Sequence, residues 1–113
     1  MNYFEYRIYD IVYDDIISGK KTIEFRLLND KSKKIRIGDE INFKVLNDET
    51  KNVLVEVIGK NVYNNLDDLW NNKDILNNSL DYTKDEFEFI FYKIFGEDLV
   101  KKSKIVGIKF RLK

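Results

Sequence analysis

"SGKKTIEFRLLNDKSKKIRIGDE", Ser18 to Glu40, is the stretch on which the fold turns. Ile23, Phe25 and Leu27 alternate with Thr22, Glu24 and Arg26, the period of a strand with one apolar and one polar face. Residues two apart on a strand face lie about 6 to 7 Å from one another, so Thr22, Glu24 and Arg26 make one polar row. Lys21 stands at the strand entry beside Gly19, where a missing Cβ lets a ligand approach the backbone. A carboxylate, a guanidinium fork, a hydroxyl and an ammonium in this order suit a polar, partly planar ligand such as a nucleobase with its sugar phosphate. The same spacing also describes a structural Glu24–Arg26 ion pair on a sheet face, and from spacing alone that plainer reading is favoured.

Working outward, "NYFEYRIY" (Asn2 to Tyr9) alternates and is rich in aromatics, which predicts a strand. "DIVYDDIISG" changes period: Tyr13, Ile16 and Ile17 fall on one helical face and Gly19 stands where the helix would end. After the signature strand, "NDKSKK" reads as a polar loop, "KIRI" as a short extended piece, and Gly38-Asp39 as a turn. Ile41, Phe43 and Val45 define one further strand and Val53, Val55 and Val57 the next, with "LNDETKN" as the hairpin loop between them. "NNLDDLWNNKDILNNSLDY" reads as a polar helical segment anchored by Leu66, Leu69, Trp70 and Ile75. In "YTKDEFEFIFYKIFG", Phe87, Ile90, Phe91, Ile94 and Phe95 form a helical stripe opened by Thr83 and closed by Gly96. "SKIVGIKFRLK" closes the chain as a strand with Val106, Ile108, Phe110 and Leu112 on one face. The order β, α, β, β, β, α, α, β in 113 residues predicts a single α+β domain over residues 1–113, a small, mostly antiparallel β-barrel with flanking helices.

Composition removes whole chemistries. With no histidine and no cysteine there is no imidazole triad, no thiolate nucleophile and no ordinary zinc site. No apolar run approaches the roughly 20 residues that span a bilayer, and the N-terminus lacks the order of a signal peptide, so a cytoplasmic protein without a membrane partner is expected. The net charge of zero argues against bulk coating of nucleic acid, yet Lys20 to Arg36 holds seven basic residues against Glu24 and Asp30. The tail from Lys101 to Lys113 adds six more and no acid, and the two basic segments would form an anion-binding patch if the fold brought them together.

The run Gly19, Lys21, Glu24, Arg26 spells G-x-K-x-x-E-x-R and, with "GDEINF" after it, resembles the signature of the ASCH domain family, whose members are similar to PUA-type RNA-binding barrels. The likeness runs through the order of elements along the whole chain. It implies an RNA- or nucleotide-binding module without cofactor, its ligand in a cleft between barrel and helices lined by Lys21, Thr22, Glu24 and Arg26, with the basic segment after Asn29 on phosphates. Tyr92, off the Phe87 to Phe95 stripe, is a candidate to present its ring to a base. One branch of very small family members consists of N(4)-acetylcytidine amidohydrolases that use a lysine, a threonine nucleophile and a glutamate. Carried over, the lysine falls on Lys21 and the glutamate on Glu86, but Glu24 occupies the threonine position, and Thr22 is one strand repeat away. Glu86 is also the fourth residue of "TKDE", a capping box that would occupy its carboxylate on Thr83. A third alternative, a protein-interaction domain, fits the neutral net charge.

Overall fold

In a computed structural model, which describes residues 1–72 and 82–113, five strands form one curled half-barrel sheet. The strands are β1 (Tyr3–Ile8), β2 (Ile23–Leu27), β3 (Glu40–Val45), β4 (Asp48–Tyr63) and β5 (Ile105–Leu112), in the spatial order β1-β3-β4-β5-β2. Among the described residues only β1 and β3 pair in parallel; the other three ladders are antiparallel, β3 and β4 through a tight hairpin and β5 with β4 and β2 over long sequence separations. Among the described residues the helices are α1 (Asp10–Ile17), α2 (Asp30–Lys34), α3 (Leu66–Trp70), α4 (Lys84–Phe95) and α5 (Glu97–Lys102). The α+β class expected from the sequence is therefore the observed one. The anchor at Ile75 lies outside the described residues.

The expected hairpin loop "LNDETKN" narrows to a turn at Leu46 and Asn47, because β4 already begins at Asp48. Two further elements depart from the sequence reading. "NDKSKK" is a helical turn rather than a loop: the Asn29 side chain accepts from the Ser32 amide (2.9 Å) while the Ser32 hydroxyl accepts from the Asn29 amide (2.9 Å). Its far end is held from across the sheet by Lys60, whose ammonium donates to the carbonyls of Ser32 (2.7 Å), Lys33 (3.2 Å) and Ile35 (2.8 Å). Five residues without an apolar stripe give no periodic signal, and the helix cap arrives from a strand 25 to 28 residues away. The second departure is α5, which follows α4 after Gly96 at φ +90 and buries Val100.

Asp39, in the turn before β3, ties the N-terminus down. Its carboxylate accepts from the Asn2 amide (2.9 Å) and the Arg36 amide (2.8 Å).

Two apolar clusters flank the sheet. The first, inside the half-barrel, gathers Tyr6, Ile41, Phe43, Val55, Val57, Val106, Ile108 and Phe110, with Ile16 from α1 and Ile35. The second lies between the sheet and α3 to α5 and contains Ile23, Phe25, Leu27, Tyr63, Leu69, Phe87, Phe91, Val100 and Ile105. Strand β2 serves both. Its Ile23, Phe25 and Leu27 join the helix-side cluster, while Glu24 and Arg26 sit directly opposite Ile108 and Val106 on β5 and so share the barrel-side face.

Gly107 lets these layers close. A Cβ there would stand 3.1 Å from the Phe25 ring and 3.3 Å from the Tyr63 ring. Gly107→Ala should therefore lower stability by about 1–3 kcal/mol in urea unfolding. Gly59→Ala, whose Cβ would stand 3.3 Å from the Cβ of the exposed Lys109, should cost less, because one such contact at the surface is milder than the approach to two buried rings at Gly107.

Candidate ligand-binding cleft

The polar row of β2 is centred on a buried carboxylate. Glu24 is 6% exposed, and both carboxylate oxygens are engaged: Oε1 lies 3.2 Å from Lys21 Nζ, and Oε2 lies 2.8 Å from Arg26 Nε and 2.7 Å from Arg26 Nη2. Arg26 then crosses to β1, where Nη2 donates to the Arg7 carbonyl (2.9 Å) and the guanidinium stacks 4.3 Å from the centre of the Tyr6 ring. From α2, Lys31 covers the same ring at 4.1 Å and donates to the Glu5 carbonyl. Because β1 and β2 are the two end strands of the sheet, these side chains bridge the open seam of the half-barrel.

Electrostatics follow from this packing. Burial alone pushes the Glu24 carboxyl up, but the charges of Arg26 and Lys21 and the hydrogen bonds they donate outweigh it and hold the group below the ordinary carboxylate value. Burial likewise pushes the Tyr6 phenol up to about 12, so it stays protonated near neutrality.

The cluster forms part of the wall of a cleft of about 570 Å³ between α1, β2 and α4. Apart from these charges the walls are largely apolar: Ile11 and Val12 come from α1, and Phe87, Ile90, Phe91 and Ile94 from α4. Arg7 and Lys93 also reach it, so among the lining residues four cations face the two acids Asp15 and Glu24.

Lys21, Glu24 and Arg26 are thus brought together at one wall, and the other sequence candidates are not. Thr22 is not among the lining residues; its carbonyl accepts from the Phe110 amide (3.0 Å). Glu86 is exposed and reciprocates the Thr83 cap, accepting from the Thr83 amide (3.2 Å) while its own amide donates to the Thr83 hydroxyl (3.2 Å). Tyr92 packs beside the helix-side cluster, with Lys101 6.0 Å over its ring, and does not line the cleft either. Sequence reasoning missed the role of α4. Its stripe was legible, but Ile90 and Ile94 at the stripe's edge face the cleft instead of completing the core.

No family model and no curated protein matches the chain. Solved structures do. The crystal structure of hypothetical protein PH0355 superposes with a TM-score of 0.83 at 25% identity over 100% of both chains. The solution structure of protein PF0455 from Pyrococcus furiosus gives 0.74 at 26% identity, covering 99% of this chain and 97% of that one. The ASCH domain from Lactobacillus crispatus gives 0.67 at 13% identity, covering 96% and 79%. The chain has an ASCH-type fold. Among the described residues no helix is long and apolar enough to cross a membrane, and no group of three or more acidic side chains gathers to hold a metal.

Removing Glu24 would leave Lys21 and Arg26 facing each other at a largely buried site. Glu24→Ala should lower stability by roughly 3 kcal/mol, and Glu24→Gln by less, since its amide oxygen still accepts from one cation. The folded-state pKa of Glu24 lies below 4.5, so the stability tied to its charge is complete above that value and lost as pH falls below it. The melting temperature of the native chain should therefore fall more steeply below pH 4.5 than that of Glu24→Gln, by circular dichroism at graded pH.

Proposed function

We propose that this chain binds the nucleoside or nucleotide unit of a nucleic-acid ligand, RNA by the resemblance of its signature, in the cleft beside β2. The observation that carries the proposal is a Lys21–Glu24–Arg26 cluster, its carboxylate buried, opening into a largely apolar cleft. A volume of about 570 Å³ is within the range of small-ligand sites, in which apolar walls supply contact and a few fixed polar groups supply orientation. A base between α1 and α4 would bury its faces against Val12, Ile90 and Ile94. Its polar edge would meet Glu24, whose carboxylate retains acceptor capacity beyond its bonds to Lys21 and Arg26. The excess of two positive charges along the cleft favours a ligand that also carries phosphate.

An amidohydrolase on an acylated nucleoside would need a hydroxyl nucleophile beside Lys21. Among the described lining residues there is no serine or threonine, and the only hydroxyls are the phenols of Tyr9 and Tyr82. Binding is the better-supported activity.

The test separates cleft from fold. Ile94, 45% exposed at the rim, tolerates a larger side chain without touching the core, so Ile94→Trp should keep the melting temperature and fill the entrance. Its affinity for nucleoside monophosphates and short RNA, by calorimetric titration, should fall on the order of tenfold or more, the loss expected when a well-packed contact is blocked. Arg26→Lys, which keeps the charge but not the planar fork, should weaken binding in the same direction. Unaltered affinity in both variants would refute the cleft as the binding site. Incubation of the native chain with N(4)-acetylcytidine should release no acetate above background.

A further inference from the structure

A second cavity, of about 650 Å³, lies at the other end of β1, between Asn2, Tyr3 and Phe4 on one side and Lys33, Lys34 and Arg36 on the other. Its three cations are exposed, and among the described residues none of them has a carboxylate at ion-pair distance. Some other basic groups are neutralised, Lys51 by Asp10, Lys84 by Asp67, Arg111 by Glu56 and Lys113 by Glu40, whereas Lys33, Lys34 and Arg36 stand together without such a partner among the described residues. The single acid lining the cavity, Asp30, leaves an excess of two positive charges. The surroundings add to it. Lys60 is fastened beneath α2, and its pKa is lowered by burial and by Arg36; Lys31, on the same helix, is lowered by burial and then by Arg26.

The two cavities are the two ends of one seam. Tyr3 and Phe4 open β1 at the basic groove, and Arg7, Ile8 and Tyr9 close it at the cleft. From Phe4 to Arg7, the lining residues that face each other along the strand, is three residue steps, roughly 10 Å, a span that a short single strand covers. Between them Arg26 and Lys31 cross the seam over Tyr6, so cations stand at both ends and in the middle of the path. Tyr3, 52% exposed, offers a ring beside the unpaired cations, the combination of stacking face and phosphate-binding charge that single strands use.

We propose that the chain takes a single-stranded oligonucleotide rather than a free nucleotide, with one nucleoside in the cleft and the phosphates beside it running along the β1 seam to the groove of Lys33, Lys34 and Arg36. The inference rests on the cleft reading for the nucleoside and on the unpaired cations for the strand.

The experiment measures affinity by fluorescence anisotropy for ribo- and deoxyribo-oligomers of one to about eight nucleotides, with the native chain, the triple variant Lys33→Ala/Lys34→Ala/Arg36→Ala, and Ile94→Trp. All three basic side chains are exposed, so the triple variant should melt like the native chain. Native affinity should rise with length in either series. The triple variant should lose on the order of tenfold or more for the longest oligomers, and the slope of log affinity against log salt should fall by about 2, since each single-strand phosphate contact contributes about 0.7. Its affinity for a nucleoside monophosphate should not change. If the triple variant keeps native affinity and slope for long oligomers while Ile94→Trp weakens the monophosphate, the strand path is wrong and the cleft reading stands. If the triple variant weakens oligomers while Ile94→Trp leaves every ligand unaffected, the groove binds on its own, and both the cleft reading and the threaded path are overturned.

Discussion

One guanidinium bridges the open edge of the sheet. Arg26 is paired with Glu24 on its own strand, donates to the Arg7 carbonyl on β1, and lies over the Tyr6 ring. A five-stranded sheet that curls without closing leaves two end strands with unsatisfied backbone groups, a standing invitation to pair with other chains. Here Arg26 from β2 and Lys31 from α2 occupy the outward carbonyls of Arg7 and Glu5. The half-barrel is closed by side chains rather than by a ladder, and an opening remains beside the closure. That opening is the cleft.

The same interaction explains why charged groups occupy a buried strand face. A matched apolar set would serve a barrel wall at least as well, because desolvating three charges offsets much of their mutual attraction. What the charged set adds is a fixed array of donors and acceptors on a cleft wall, each held by a second contact: Lys21 by Glu24, Glu24 by both cations, Arg26 by the β1 backbone. Such groups meet a ligand already oriented, which lowers the ordering cost of binding.

Charge is also organised by the fold rather than by the sum. The chain is neutral overall, and three of the six basic groups of its C-terminal tail are neutralised by Glu97, Glu56 and Glu40. Lys101, Arg111 and Lys113 therefore add no unpaired charge to the patch expected between that tail and the segment after Asn29. Three cations without an ion pair among the described residues, Lys33, Lys34 and Arg36, gather on the α2 side of the seam.

By itself the sequence determined the strands, the α+β class, the capped helix from Thr83 to Gly96 and the two faces of β2, because period and capping are local properties that neighbouring residues carry. It also marked Lys21, Glu24 and Arg26 as one constellation. Whether that row was solvated or buried was beyond local pattern: Glu24 is enclosed because β5 sets Ile108 opposite it and the β1 seam comes within reach of Arg26. The tertiary structure alone decided that Glu86, whose cap was already legible, lies outside the cleft, that Thr22 and Tyr92 stand off the wall, and that Ile90 and Ile94 stand on it. It also decided that "NDKSKK" is a helix, since Lys60 supplies the far cap from another strand. Each of these depends on contacts between residues distant in the chain, which hydrophobic period does not record.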